Sequence, residues 1–329
     1  RWSHWSEALQ FIASEPDTAL FADSIVISEI MYHPAEPSPA EKKLGYTAGD
    51  FEYLEITNIS DLDIDLTGLR FTKGVDFDFL GSGIVALSPG EHALVVANRA
   101  AFEYRHGSGR PIAGEWESGD RLSNGGERLK LSFGAGFPIR DFHYLDESPW
   151  PSAPDGSGFS LTLIDLRSNP EHGDPASWRS SVNPGGSPGE QDSSNFAEWV
   201  TGFNLSPDEP DLDNDQDGLS LFREYAQGGT PLTAVPDEGL VNIEIEELVR
   251  DQVPASYLIL KLARNMAADD VALRIEWNPS LLTGQWQDVT EDFVLHADLH
   301  TGRETTVISY RRPLPENPSG YWRIRFTGD

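Results

Sequence analysis

The chain has 329 residues, 38% of them hydrophobic and 10% aromatic, which is enough apolar material for the cores of two or three globular domains. Its 54 acidic and 24 basic residues give a formal net charge of −30, which argues against a nucleic-acid partner because phosphates would be repelled over most of the surface. It contains no cysteine, which excludes disulfides, thiolate metal sites and a cysteine nucleophile.

The first residues, RWSHWSEALQF, carry neither an initiator methionine nor a signal-peptide pattern. We therefore interpret the chain as an internal piece of a longer precursor. No apolar run reaches the roughly 18 residues that a membrane-spanning helix needs, so we expect no membrane insertion.

Residues 24–193 consist of short apolar runs separated by clusters of Gly, Pro, Asn and Asp. The runs are IVISEIMYH, YLEITNI, GLRF, HALVVAN and RLKLSF. Alternation within short runs and turn residues between them predict a β-sandwich. In the second run Glu52 and Glu55 fall on opposite faces of the strand, so they form no paired-carboxylate site by themselves. We expect this strand to have one buried face.

Residues 194–236 differ in character from the region before them. NFAEWV predicts a short helical turn capped by Asn195, and LSLFREYAQ predicts a helix that ends at Gly228 and Gly229. The stretch between them is polar and rich in proline. This segment is predicted to be a connector.

Residues 237–329 return to alternating apolar runs, which are YLILKLA, VALRIEW, TTVISY and YWRIRF. They predict a second, smaller β-sandwich. The whole chain is thus predicted to be all-β, with two β-sandwich domains joined by a short helical connector.

Several stretches together resemble the lamin-tail domain, an immunoglobulin-like β-sandwich carried by large secreted proteins of environmental bacteria. They are IVISEIMYHPA, DFEYLEITNISDLDIDLTGLRF, ALSPGEHALVVAN, LSNGGERLKL, SPWPSAPDGSGFSLTL and NPGGSPG. The resemblance covers roughly half of the chain, residues 24–189. Residues 1–23 resemble the end of a chitobiase C-terminal-like β-module followed by a linker. DGLSLFREYAQGGTP resembles the EF-hand-like or thrombospondin type 3-like calcium-loop connector that often follows a lamin-tail domain.

The resemblance implies a non-catalytic region that serves attachment or scaffolding at the cell surface or outside the cell. The implied partners are proteins or polysaccharides of the cell envelope or extracellular matrix, and assembly with other subunits is compatible with it. An accessory carbohydrate-binding region of a larger secreted enzyme, a hydrolase or a CotH-like kinase, is the alternative. Asn58, Asp65, Leu66 and Gly68 fall on the family's strand–turn–strand motif, where we expect structural roles.

The stretch DNDQDGLSLFRE, residues 213–224, has the ligand spacing of a calcium-binding EF-hand loop. Asp213, Asp215 and Asp217 occupy the first, third and fifth positions, Leu219 offers its carbonyl at the seventh and Glu224 is the bidentate carboxylate at the twelfth. Gly218 stands at the sharp turn. A register that begins at Asp211 puts Gln216 where glycine is needed, so a single register remains. The alternative is an acidic linker that matches by chance.

Pro207 and Pro210 stand where the entering helix of a calcium sensor would lie. Only the exiting helix is available. We therefore predict a structural calcium site that fixes the joint between two sandwiches, and not a switch.

Two other motifs have the residue spacing of a catalytic or metal-binding site but lack the other groups that such a site needs. GGSPG, residues 185–189, matches a nucleophile elbow around Ser187, but Pro188 lacks the N–H that the oxyanion hole needs, so we interpret it as a turn. His296 and His300 have zinc-ligand spacing, but their segment is typical of a strand and a turn.

The C-terminal region holds two features that suit a polymer ligand. Trp277, Trp286 and Trp322 could stack on sugars, although their places in or beside strands favour core packing. Four arginines form a local basic excess that could dock an acidic polymer or neutralise its own domain. They are Arg311, Arg312, Arg323 and Arg325.

Overall fold

The computed structural model describes residues 18–193, 195–235, 239, 241–250, 253–265, 267–281, 284–296, 303–310, 313–314 and 320–328. The described chain consists mostly of strands arranged in several sheets, with few helices. The prediction of a β-rich fold is confirmed. The strand predicted by resemblance at the start of the chain lies outside the described residues. A short helix, α1 (Ala19–Ser24), precedes the first strand.

The region that carries the lamin-tail resemblance contains twelve strands among its described residues. They are β1 (Ile25–Met31), β2 (Tyr53–Asn58), β3 (Ile64–Asp65), β4 (Leu69–Lys73), β5 (Phe77–Asp78), β6 (Ala86–Leu87), β7 (His92–Val96), β8 (Ile112–Glu115), β9 (Glu127–Phe133), β10 (Phe137–Tyr144), β11 (Leu161–Leu163) and β12 (Trp178–Ser180). The five runs quoted from this region correspond to β1, β2, β4, β7 and β9, so each of those strand predictions is confirmed.

Two main sheets organise this region. One has the order β12-β11-β1-β2-β7-β8 and the other β10-β9-β4-β5, while β3 and β6 form a separate pair. The largest core cluster draws buried side chains from both main sheets, among them Ile27 and Leu54 from the first and Phe71 and Leu131 from the second. Burial of each such side chain contributes about 1.5–3 kcal/mol. The core of this region therefore lies between the two sheets.

Strand β2 is buried on both faces, and the expectation of a single buried face is wrong. Leu54 and Ile56 enter the main core, and every residue of the strand is buried. The opposite face is covered because the ring of Tyr53 packs edge-on against Phe102, with centroids 5.6 Å apart. The N–H of Gly189 also donates to Glu55 on that face. Local alternation does not reveal such a covering layer.

The helix that covers this face is α3 (Arg99–His106), which the strand-based interpretation missed. The side chain of Asn98 accepts a hydrogen bond from the N–H of Ala101 at 3.1 Å and so caps its first turn. Gly107 ends the helix with a φ of 83°. Asparagine before the helix and glycine after it were signals present in the sequence. A further short helix, α2 (Pro39–Lys43), begins with a capping box at Ser38.

The turn residues of the lamin-tail-like motif have structural contacts, as expected. Asn58 is fully buried, and its amide donates to the carbonyls of Leu62 and Leu87 at 2.6 and 2.9 Å. Asp65 accepts from the N–H of Thr67 at 2.8 Å, which closes an Asx turn. The side chain of Leu66 is fully buried, and a Cβ on Gly68 would overlap the ring of Phe133.

The connector and the C-terminal region supply the remaining elements. They are α4 (Phe196–Gly202), α5 (Leu221–Gln227), β13 (Asn242–Arg250), β14 (Val253–Asn265), β15 (Val271–Asn278), β16 (Gln287–Asp288), β17 (Phe293–His296), β18 (Arg303–Tyr310) and β19 (Tyr321–Gly328). Both predicted connector helices and the four predicted C-terminal strands are confirmed. Strands β13, β16 and β17 were not predicted.

The C-terminal strands form two sheets with the orders β13-β14-β18-β17 and β16-β15-β19. Leu260 and Ile308 of the first sheet share a core cluster with Ile275 of the second, and Trp322 and Ile324 pack against it. Within the described residues, none of the helices is long and apolar enough to cross a membrane.

Candidate metal centre

The acidic loop lies between α4 and α5, and its ends are held together by the backbone. The N–H of Leu221 donates to the carbonyl of Leu212 at 2.8 Å, and that of Phe222 donates to Pro210 at 3.0 Å. The side chain of Asn195 caps α4 by accepting from the N–H of Glu198 at 2.9 Å. Residues 203–220 form no helix or strand, so no entering helix precedes the loop.

The three aspartates of the loop converge. Asp213, Asp215 and Asp217 each offer one carboxylate oxygen, and these atoms all lie within 4.8 Å of one another. Three carboxylates at this separation repel one another unless a cation or protons offset their charge. The triad could therefore hold a metal ion.

Hydrogen bonds inside the loop orient these carboxylates. Asp213 accepts from the N–H of Gly218 at 3.0 Å, and Asp217 accepts from that of Leu219 at 2.9 Å. Gly218 has a φ of 96°, which only glycine adopts readily, as the register requires. The turn that the calcium register demands is therefore formed by the backbone of the loop.

Two oxygens of the triad are buried and accept no hydrogen bond from the described residues. They are Oδ1 of Asp213 and Oδ2 of Asp215. A buried carboxylate oxygen without a donor is costly, whereas a bound hard cation is a favourable partner for it. The chemistry of the donor set thus fits a cation that prefers oxygen.

The remaining predicted ligand residues flank the triad. Glu224 lies in the first turn of α5 and is fully buried, but it is not among the carboxylates that lie within 4.8 Å of one another. Leu219 buries its side chain, which leaves the backbone carbonyl as its only potential ligand atom. The structure brings together three of the five predicted residues.

The turn between β14 and β15 binds the first region to the C-terminal one. Arg179 of β12 is 2% exposed, and its Nε and Nη2 donate to Asp269 at 2.9 and 3.0 Å. The same guanidinium pairs with Asp192. Removal of one partner from a buried ion pair typically costs about 3–5 kcal/mol, because the other charge remains buried.

The same turn also binds the connector. Asp270 accepts hydrogen bonds from the hydroxyl of Tyr225 and, at 3.1 Å, from the N–H of Phe196. The side chain of Asn265 donates to the carbonyl of Tyr225 at 2.9 Å. Helix α5 is thus linked to the C-terminal region one residue after Glu224.

The other predicted sites do not assemble in the described residues. Ser187 lies in a loop without an adjoining helix, so the interpretation as a turn is confirmed. His296 is the last residue of strand β17, and His300 lies outside the described residues.

The tryptophans divide between the two faces of the β15–β19 sheet. Trp277 and Trp322 are register partners, and Trp322 packs against the core. Trp286 instead stacks on the guanidinium of Arg323, 4.3 Å from the ring centroid, and Arg323 pairs with Glu276 at 2.5 Å. Arg311 and Arg312 lie outside the described residues.

Sequence reasoning missed a buried polar cluster in the first region. Glu29, on β1, and Glu55, on β2, are each 2% exposed and are register partners on neighbouring strands. Neither strand pattern alone places the two carboxyl groups together, because the pairing of β1 with β2 is a tertiary feature.

Comparisons with known proteins yield no relative. No protein-family model, no curated protein and no solved structure matches this chain. The resemblance to lamin-tail domains rests on the sequence motifs quoted above.

Proposed function

We propose that this chain is a non-catalytic structural or adhesive region of a secreted or cell-surface protein. In this proposal, calcium bound by the acidic loop makes the connector rigid and fixes the angle between the regions on either side. The observation that carries the proposal is the convergence of three aspartates, two of them with buried, unpaired oxygens, directly before helix α5.

The proposed architecture is a lamin-tail-like, immunoglobulin-like β-sandwich followed by a smaller β-sandwich. In each region, two sheets contribute side chains to one shared core, which supports this reading. The resemblance of the first region to modules used for attachment supports the adhesive role, and the surface would bind a protein or a polysaccharide outside the cell.

Calcium fits the acidic loop better than a soft metal, because the candidate ligands are all oxygens and the chain has no cysteine. Asp213, Asp215 and Asp217 would hold the ion, with the Leu219 carbonyl and Glu224 completing the set. The ion would supply the positive charge that offsets the clustered carboxylates.

The effect of the ion would reach the joint through α5. Tyr225 follows Glu224 directly; its hydroxyl binds Asp270 in the β14–β15 turn, and its carbonyl accepts from Asn265 at the end of β14. Tyr225 also belongs to a core cluster with Ala268 and Val271 of the C-terminal region. Ordering of the loop would therefore order the contact of the connector with that region.

The proposal is tested by thermal unfolding in excess EDTA and after addition of calcium. At calcium about 100-fold above the dissociation constant, the ion stabilises the folded chain by about 2.7 kcal/mol. At about 2–4 °C for each kcal/mol, the midpoint should rise by about 5–10 °C.

The double variant Asp217→Ala, Glu224→Ala should lose this increase. The matched control is Asp208→Ala, Glu209→Ala, which removes two exposed carboxylates just before the loop and should keep it. Equal midpoints of thermal unfolding with EDTA and with calcium in the unaltered chain would contradict the proposal.

A carbohydrate-binding role is the second candidate, favoured by the aromatic side chains on the outer face of the β15–β19 sheet. Trp286 stacks there beside Arg323, and Tyr321 is 47% exposed. An exposed tyrosine and a partly exposed tryptophan beside a guanidinium suit a sugar polymer that carries carboxylates.

Affinity electrophoresis through alginate and through a neutral β-glucan tests this role. Retention by alginate should weaken at least about tenfold, equivalent to about 1.4 kcal/mol, in Trp286→Ala. It should not change in Tyr104→Ala, which removes an exposed aromatic from the first region. Absence of retention of the unaltered chain by either polymer would exclude this candidate.

A further inference from the structure

The NPGGSPG segment, residues 183–189, forms a loop over the outer face of the six-stranded sheet, and we call it the strap. Beneath it lie the two glutamates Glu29 and Glu55, paired across β1 and β2. Side chains directly opposite on antiparallel strands have Cβ atoms about 4.5–5.5 Å apart. Two carboxyl groups thus lie side by side at a position closed to solvent.

The first carboxyl group gathers its donors on one oxygen. Oε1 of Glu29 accepts from the hydroxyl of Tyr53 at 2.7 Å, from the hydroxyl of Ser160 and, at 3.0 Å, from the N–H of Ser187 in the strap. Three donors on Oε1 leave Oε2 as the oxygen that can carry a proton.

The second carboxyl group binds the far end of the strap. Oε2 of Glu55 accepts from the N–H of Gly189 at 2.6 Å, and its Oε1 contacts Ser28 at 2.6 Å and His92 at 3.0 Å. Each glutamate therefore holds one backbone N–H of the strap. The closed position of the strap depends on both carboxyl groups at once.

The strap fits this position closely and separates two cavities. Gly186 has a φ of 74°, and a Cβ there would overlap Glu29 and Tyr53. Cavities of about 330 and 370 Å³ lie beside the strap, and Gly186 and His106 line both of them. Movement of the strap would join the two cavities above the carboxyl pair.

We propose that the strap is a pH-controlled latch: it stays closed while Glu29 is protonated, and it opens when that proton is lost. Loss of the proton would place a negative charge beside the carboxyl group of Glu55 in a buried site, where repulsion between neighbouring carboxylates is strong. Displacement of the strap admits water to both carboxylates and relieves that repulsion.

The charged groups around the pair determine the pH at which this happens. Burial, followed by the charge of Glu55, raises the pKa of Glu29 to about 8, and Asp192 acts in the same direction. Burial raises the pKa of Tyr53 well above its usual value, so it stays neutral and keeps donating. Burial lowers the pKa of His106, which packs edge-on against Tyr53, to about 4, so it is neutral near pH 8 as well.

His92 is the other titratable side chain in contact with the pair, through Glu55. Its hydrogen bond to Glu55 raises its pKa, against the effect of burial. When His92 loses its proton, a positive charge beside Glu55 disappears.

A spin label on the strap tests the proposal in the full chain. The chain has no cysteine, so Asn183→Cys gives a single label at an exposed position. Between about pH 5 and pH 10, the mobile fraction of its spectrum should rise with a midpoint near 8. Circular dichroism at each pH must show that the chain stays folded.

Glu29→Gln should abolish the rise, because glutamine keeps the acceptor oxygen and cannot ionise. The control Glu190→Gln removes an exposed carboxylate next to the strap, which pairs with Arg110, and should keep it. An unchanged spectrum across the range, or a rise that persists in Glu29→Gln, would overturn the proposal. If Glu29→Gln does not fold, carboxyl NMR titration of the unaltered chain decides the matter, and a Glu29 pKa below about 6 would also overturn it.

Discussion

The buried side chain of His172 shows how a single residue can make the stability of the first region depend on pH. Nε2 of His172 accepts the N–H of Ile27 at 3.0 Å, so its Nδ1 carries the proton and donates to the carbonyl of Pro170 at 3.0 Å. The indole N–H of Trp178 donates to the His172 carbonyl at 2.9 Å. Burial, with the charge of Arg140, lowers the pKa of His172 to about 3, so the ring is neutral near neutral pH.

The lowered pKa makes stability depend on pH on the acid side. In the unfolded chain a histidine has a pKa of about 6.5, so its contribution is complete above that pH and is lost as pH falls toward 3. His172 alone should cost about 1.4 kcal/mol of unfolding free energy for each pH unit in that window.

Denaturant unfolding at pH 7 and at about pH 4.5 measures this loss. The variant His172→Gln keeps an acceptor for Ile27 and never becomes charged, so it should lose less stability than the unaltered chain over the same interval. If the unaltered chain and His172→Gln lose the same unfolding free energy over this interval, the sensitivity to acid comes from groups other than His172.

At the scale of elements, the sequence predicts those helices, strands and loops whose formation depends on interactions between residues close together in the chain. The acidic loop and helix α5 follow from an aspartate at every second position, Gly218 at the turn and Gly228 at the end, and the structure adds Ser220 as the cap of α5. Each of these residues acts within a few positions of itself, so a sequence pattern records it directly. The same holds for the strands with clear alternation.

Structural features that form between segments distant in the chain could not be predicted from the hydrophobic pattern of the sequence. Strand β2 has a second buried face because α3 and the strap cover it, and its alternation gives no sign of either. The pairing of Glu29 with Glu55 depends on the register of two strands about 25 residues apart. Helix α3 is different, because its cap at Asn98 and its end at Gly107 are local signals that the sequence contains.

The whole molecule is tied together at the β14–β15 turn. Asp269 binds Arg179 of the first region, and Asp270 binds Tyr225 and Phe196 of the connector. Adjacent residues of one turn thus contact both other parts of the chain. An ion in the acidic loop would complete this joint from the connector side, in a chain whose net charge of −30 otherwise favours separation of its parts.

The distance between the two regions, measured by double electron–electron resonance with and without calcium, tests the calcium-fixed joint most directly. Cysteines introduced for spin labels at Glu117 and Gln287, both exposed, report on the first and the C-terminal region. With saturating calcium we predict one narrow distance distribution, and with excess EDTA a distribution at least about twofold broader, since freed side chains and backbone regain conformational entropy. The Asp217→Ala, Glu224→Ala variant should give the broad distribution under both conditions. Distributions of equal width with calcium and with EDTA in the otherwise unaltered chain would contradict a joint fixed by calcium.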